Sequence, residues 1–197
     1  PIILILNNKT FKMKKIIFLL SITIITLTAA AQDKYFTKTG KIHFDATSPK
    51  SPEKIDGINK SVICVLDTKT GNLQVSVLMK GFEFERALMQ EHFNENYVES
   101  NKFPKAEFKG TITNNGAVNY IKDGIYPVKV NGKLAIHGET KVIETNGTVS
   151  IKNGKINTVA EFAVNLADYR ITIPQLVADK VAKTATIKVD CMLDVLK

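Results

Sequence analysis

From residue 105 onward the chain is cut at short intervals by Asn115-Gly116, Asp123-Gly124, Asn131-Gly132, Asn146-Gly147 and Asn153-Gly154. Such dipeptides take positive φ at little cost and close tight hairpins. The segments between them alternate apolar and polar residues, as half-buried antiparallel strands do. They predict strands over Ala106–Thr113, Ile125–His137, Lys141–Thr145, Thr148–Lys152 and Ile156–Leu166, with Asn131-Gly132 as either a turn or a bulge inside one long strand. The last strand is expected over Ala185–Val195, where Ile187, Val189, Cys191 and Leu193 oppose Lys188, Asp190 and Asp194. Tyr169–Val181 carries Pro174 and is expected to be a loop with one helical turn.

The N-terminal half adds Lys41–Asp45, Ser61–Asp67 and Asn72–Lys80, the last two joined through Thr70-Gly71. A loop is expected around Pro49, Pro52 and Asp56-Gly57. In Asn72–Lys80, Leu73, Val75, Val77 and Met79 share one face and Gln74, Ser76 and Lys80 the other. Eight or nine hairpin-linked strands, with no βα alternation and no repeat, mean a sandwich or an up-and-down barrel. One stretch breaks the pattern. Phe84, Leu88, Met89, Phe93 and Tyr97 recur at near-helical spacing, opposite Glu85, Arg86, Gln90, Glu91 and Asn94, until Phe103-Pro104 stops the run. A lone amphipathic helix must cover something apolar, either a barrel mouth or a sheet edge.

The N-terminus reads as a targeting segment. Met13-Lys14-Lys15, the apolar run Ile16–Leu27 and Ala29-Ala30-Ala31 have the order of a cleavable signal peptide, so 13–31 is expected to be removed and 32–197 to form one domain. The run is short for a bilayer span, which needs about 20 apolar residues. Residues 1–12 precede Met13 without an initiator and are read as upstream sequence. The full chain has a net charge of +8, and Lys9, Lys12, Lys14 and Lys15 account for four of those charges, leaving +4 on 32–197. The remaining lysines are scattered singly along strands, which fits a solvated sheet face and not a nucleic-acid stripe. Cys64 and Cys191 are read as buried small hydrophobes on different strands, while export keeps a disulfide chemically open.

No nucleophile elbow, Walker loop, zinc-protease motif or Rossmann glycine pattern occurs. His43, His92 and His137 are distant in sequence and read first as hydrogen-bonded structural residues. Glu99-Ser100 reads as a loop-ordering pair. No catalytic residue, metal ligand or cofactor is expected.

Three segments, LMQEHFNENYVESNKFPKAEFKG (88–110), GKLAIHGETK (132–141) and ADYRITIPQLVADKVAKTATIKV (167–189), resemble the YceI-like family of lipid- or polyisoprenoid-binding, lipocalin-like domains. The likeness runs from about Tyr35 to Leu193, and its QEHFNENY variant looks like that of Bacteroidetes-type bacteria. It implies an all-β antiparallel barrel of about eight strands covered by one amphipathic helix. It also implies a periplasmic or secreted location and a long isoprenoid, prenyl quinone-like or other amphiphilic lipid as ligand. Under that reading the cavity lining is Leu73, Val75, Val77, Met79, Phe84, Leu88, Phe93, Phe108, Leu134, Ile136, Phe162, Val164, Leu166, Ile187 and Val189. Many relatives carry an Arg-Asp pair beside the helix where this chain has Gln90-Glu91-His92, so no headgroup contact carries over. Two other readings stand beside the carrier. One is a periplasmic enzyme or accessory using His137 or His92 near the cavity mouth; the other is a homodimeric envelope protein whose barrel is filled by side chains.

Overall fold

In the computed structural model, which describes Asp33–Leu196, eight antiparallel strands close into one barrel in sequence order. They are β1 (Lys34–Thr47), β2 (Asp56–Asp67), β3 (Asn72–Leu78), β4 (Lys105–Ile112), β5 (Gly124–Ile136), β6 (Glu139–Lys152), β7 (Lys155–Asn165) and β8 (Val181–Val195). Closure comes from β1 pairing with β8, Ile42 opposite Val189 and Phe44 opposite Ile187, so among the described residues no sheet edge is left to recruit another chain. A helix α1 (Ala87–His92), continued by a π-turn over Phe93–Tyr97, lies in the β3–β4 connection. The signal peptide and upstream segment expected over 1–31 lie outside the described residues.

An up-and-down barrel places alternate connections at opposite ends. The β1–β2 loop, the helical β3–β4 connection, the β5–β6 turn and the β7–β8 loop therefore gather at one end, called here the helix end. The termini and the other three turns lie at the far end. Two hairpins close by two-residue turns with positive φ at both positions, His137 (50°) with Gly138 (78°) and Asn153 (52°) with Gly154 (74°). That is the type I′ geometry whose twist matches the flanking strands.

Several local expectations are corrected. The first strand is far longer than Lys41–Asp45, because β1 pairs on both sides along most of its length. Asp56-Gly57 belongs to β2, paired with Asp45 and Phe44, and not to a loop. Asn146-Gly147 makes no turn: β6 runs unbroken through it, opposite Lys129 and Val128 of β5. Asn131-Gly132 is neither turn nor bulge, since the β5–β6 register is continuous there. Gly132 instead permits close approach: a Cβ built on it would lie 2.5 Å from the Cα of Gly110 and 2.6 Å from the Phe108 ring. The tip of the Phe108 ring thus reaches over two opposed glycines, into the space their side chains would take. The β7–β8 loop holds two short 3-10 turns, Leu166–Tyr169 and Gln175–Val177, where one was expected.

The helix also differs from the periodic stripe. It is two short pieces, an α-helical turn and a π-turn that meet at Phe93, and its apolar residues are unevenly buried. Phe93 is buried while Leu88 is exposed. No residue of α1 is buried, and no side chain caps its start. The segment is held to the barrel chiefly through Phe93, whose ring meets those of Phe84, Phe82 and Phe44 at centroid distances of 4.8, 5.5 and 5.7 Å.

Candidate functional site

The alternation that made the strands sends one residue in two toward the barrel axis, and those side chains do not fill the space they face. An inner chamber with an empty volume of ≈ 1260 Å³, part of it open to solvent, runs inside the barrel. Leu73, Val75, Phe108, Phe162 and Ile187 point inward yet keep accessible surface, which favours a hollow over a barrel packed solid with side chains. From Val128 to Ile136 the chamber follows β5 over eight residue-to-residue steps, roughly 26 Å along the strand at about 3.3 Å per step.

Its lining is almost wholly apolar. Thr145, Thr148, Thr158, Cys64 and Glu107 are the residues with polar side chains on its border, Glu107 between the inward-facing Ala106 and Phe108, and no cationic residue borders it among the described residues. Leu73, Val75, Val77, Met79, Phe93, Phe108, Leu134, Ile136, Phe162, Val164, Leu166, Ile187 and Val189 all line this chamber. Phe84 and Leu88 do not. They face a second, outer chamber of ≈ 1040 Å³ at the helix end, where Leu88 remains 54 % exposed. The sequence reading missed Ile42, Phe44, Val128, Val130, Ile143 and Val149, which also face the inner space.

The two chambers share Phe44, Phe93, Val98, Leu166 and Ile171 as walls, so a single layer of side chains separates them. The outer chamber differs in character. Among its walls are Glu53, Arg86, His92 and Lys180, contributed by the β1–β2 loop, the helical connection and the approach to β8.

The histidines divide. His137 lines neither chamber. Its ring Nδ1 lies 2.9 Å from the Tyr169 carbonyl oxygen and its Nε2 2.8 Å from Glu99 Oε2, with the Phe103 ring edge-on at 4.5 Å between centroids. This side chain, only 9 % exposed, ties the β5–β6 turn to the β3–β4 connection and to the β7–β8 loop. Glu99 (φ 43°) and Arg170 (φ 55°) share the left-handed conformation of His137, so strained backbone converges on this latch. Glu99 is accordingly more than a loop-ordering group, and Ser100 Oγ is buried with no partner among the described residues. His43 meets Asp56 at 3.0 Å, and His92 is an exposed wall of the outer chamber.

Cys64 on β2 and Cys191 on β8 are free, buried and on opposite sides of β1. Gly40 of β1 makes room between them, since a Cβ there would lie 2.6 Å from Cys191 Sγ. The Cys191 thiol beside it, and burial, raise the pKa of Cys64. Burial likewise pushes Tyr120 up to about 12, and its hydroxyl donates to Asn115 Oδ1 at 2.7 Å.

This combination of closed eight-stranded barrel, helical cover and apolar hollow agrees with the profile of the YceI-like domain, which matches residues 19–193. The chain belongs to the YceI-like family. Among solved structures, the YceI-like barrel described here is similar to a polyisoprenoid binding domain from Saccharophagus degradans implicated in plant cell wall breakdown. That pair has a TM-score of 0.72 and 14% identity, covering 83% of this chain and 99% of that one. Burkholderia cenocepacia BcnA is similar with a TM-score of 0.62 and 15% identity, over 79% and 96% of the two chains. A Campylobacter jejuni YCEI protein has a TM-score of 0.51 and 17% identity, over 71% and 85%. At these identities the likeness shows the fold. No curated protein gives a significant match. No cluster of three or more metal-ligating side chains occurs among the described residues.

Proposed function

We propose that this YceI-like protein is an exported, non-catalytic carrier that holds the tail of an isoprenoid or similar amphiphilic lipid in its inner chamber. The observation that carries the reading is the chamber itself: a long apolar hollow without a cation on its walls offers an isoprenoid burial and little else. Burial is enough. Each methylene removed from water contributes roughly 0.8 kcal/mol, so a few isoprene units outweigh association costs on the order of 4–15 kcal/mol. The polyisoprenoid binding named for the Saccharophagus degradans domain supports the same class of ligand.

A catalytic reading has less to stand on. His137 is occupied on both ring nitrogens and faces no chamber, and His92 has no hydrogen-bonded base or orienting partner among the described residues. Extraction of the purified protein with organic solvent, followed by mass spectrometry, tests the proposal. The expected result is a recovered isoprenoid lipid, or stoichiometric uptake of an added prenyl quinone. Recovery of no lipid together with no uptake would overturn it.

A further inference from the structure

Within the closed barrel the strands do not share their ladders evenly. β6 and β7 are paired only between Gly147 opposite Ala160 and Lys152 opposite Lys155, at the far end. Toward the helix end both strands continue, β6 over 139–146 and β7 over 161–165, yet no ladder joins them there among the described residues. Each lip is held from behind instead, β6 by β5 as far as Glu139 and β7 by β8 as far as Asn165. The lips face each other across a gap. Near its base Thr145 Oγ1 donates to the Glu161 carbonyl at 3.4 Å. Ile143 and Thr145 on one lip, and Phe162 and Val164 on the other, border the inner chamber. Lys141 marks the gap as open to water. It stands opposite Leu134, a chamber residue, and so on the inner face, but it is exposed and does not border the chamber.

At the helix end the gap is barred. His137 Nδ1 meets the Tyr169 carbonyl oxygen at 2.9 Å, and Arg170 Nε lies 2.9 Å from Glu139 Oε1. These contacts tie the start of β6 to the turn that follows β7. The Arg170 pair is open to water and weak, and parting a few side-chain contacts disturbs neither ladder behind the lips. We propose that the gap between β6 and β7 is a side door of the inner chamber, through which a lipid tail enters broadside when the contacts of His137 and Arg170 part. The inference rests on the carrier reading and adds the route the tail takes. With the bar open, the gap and the mouth narrowed by Phe93 form one slot, and a long tail need not thread end-first along the whole chamber. It slides in between Ile143 and Phe162, against apolar surface throughout.

The test clamps the lips together. Extending the register past Gly147 and Ala160 sets Glu144 opposite Ala163, and both are exposed. A Glu144→Cys/Ala163→Cys variant joined by a bis-maleimide closes the gap. A Lys133→Cys/Val142→Cys variant, joined in the same way across the continuous β5–β6 ladder, is the control. The native Cys64 and Cys191 are buried and do not compete for the linker. Uptake of a geranylgeranyl chain bearing an anthraniloyl fluorophore is followed by stopped flow, and its release by a chase of unlabelled geranylgeraniol. The clamp is expected to slow uptake and release alike, by about tenfold, because it blocks the path without changing the seated tail's contacts. Equilibrium affinity then stays at the wild-type value, and the control and the unlinked variants exchange at the wild-type rate. A clamped protein that loads at the wild-type rate, or is slowed no more than the linked control, overturns the side door while leaving the carrier intact. Failure of the wild type to bind the probe overturns the carrier reading and the door with it.

Discussion

Truncating Phe93 to alanine removes the ring that separates the two chambers and anchors the helical cover. The side chain is 6% exposed and touches three other phenylalanine rings. Phe→Ala changes in cores cost about 3–5 kcal/mol, growing with the cavity that fails to collapse. Here collapse is blocked, because hollow space already lies on both sides of the ring. Each aromatic pair adds about 0.5–1.5 kcal/mol beyond burial, but three pairs sharing one ring do not add independently. Together these place the loss near ~4 kcal/mol. With a urea m-value of about 2 kcal/mol per molar, the unfolding midpoint falls by roughly 2 M. Leu88→Ala, five residues earlier and half exposed, is expected to change stability by about 0.5 kcal/mol or less. In stopped-flow uptake of a fluorescent prenyl analogue, Phe93→Ala is expected to load faster than the wild type and Leu88→Ala at the wild-type rate. A Phe93→Ala protein that loses less than about 1 kcal/mol and loads at the wild-type rate would refute Phe93 as both anchor and partition.

Replacing His137 with alanine leaves the Tyr169 carbonyl and Glu99 carboxylate without their imidazole partner, at a cost of about 2–4 kcal/mol in urea unfolding. Lipid affinity measured below the new midpoint is expected to stay within a few-fold. Burial holds Tyr120 neutral up to about pH 12, whereas in the unfolded chain it ionises near the ordinary tyrosine value of 10.0. Its contribution is thus fully present below pH 10 and is lost as pH rises from there through about 12. Urea midpoints measured from about pH 9 to 12 should fall less steeply in Tyr120→Phe. With Cys64 and Cys191 free, buried and the Cys64 thiol disfavoured as an anion, neither is expected to react with a disulfide reagent at about pH 8 in the native protein. Both should react in denaturant, and native-state labelling would show that the β1–β2–β8 wall opens.

Strand alternation carried the barrel and most of its interior. Leu73, Val75 and Val77, or Phe162, Val164 and Leu166, can sit on one side of a strand only by turning the same way, and the axis is where they turn. Turn chemistry was less decisive. Asn146-Gly147 permits a reversal but does not impose one, and β6 gains more from thirteen consecutive pairings with β5 than a hairpin there would give. The actual turn, His137-Gly138, falls at the expected strand end, and the hold of His137 on Glu99 and Tyr169, invisible in the sequence, fixes it there. The helix was visible as an interruption, and its stripe of Phe84, Leu88, Met89, Phe93 and Tyr97 does border one space, the outer chamber, although the π-turn left no trace in the spacing. The outer chamber was illegible for another reason. Glu53, Arg86 and Lys180 lie in separate connections, and only barrel closure brings them together.

If the lipid tail lies inside the barrel, filling that space must abolish binding. Ala160 of β7 lines the inner chamber, and Ala160→Phe puts a ring into the void. Native mass spectrometry with an added prenyl quinone is expected to show a one-to-one adduct with the wild type and none with the variant, whose unfolding midpoint should hold. An adduct of undiminished intensity on the folded variant would mean that the tail binds elsewhere.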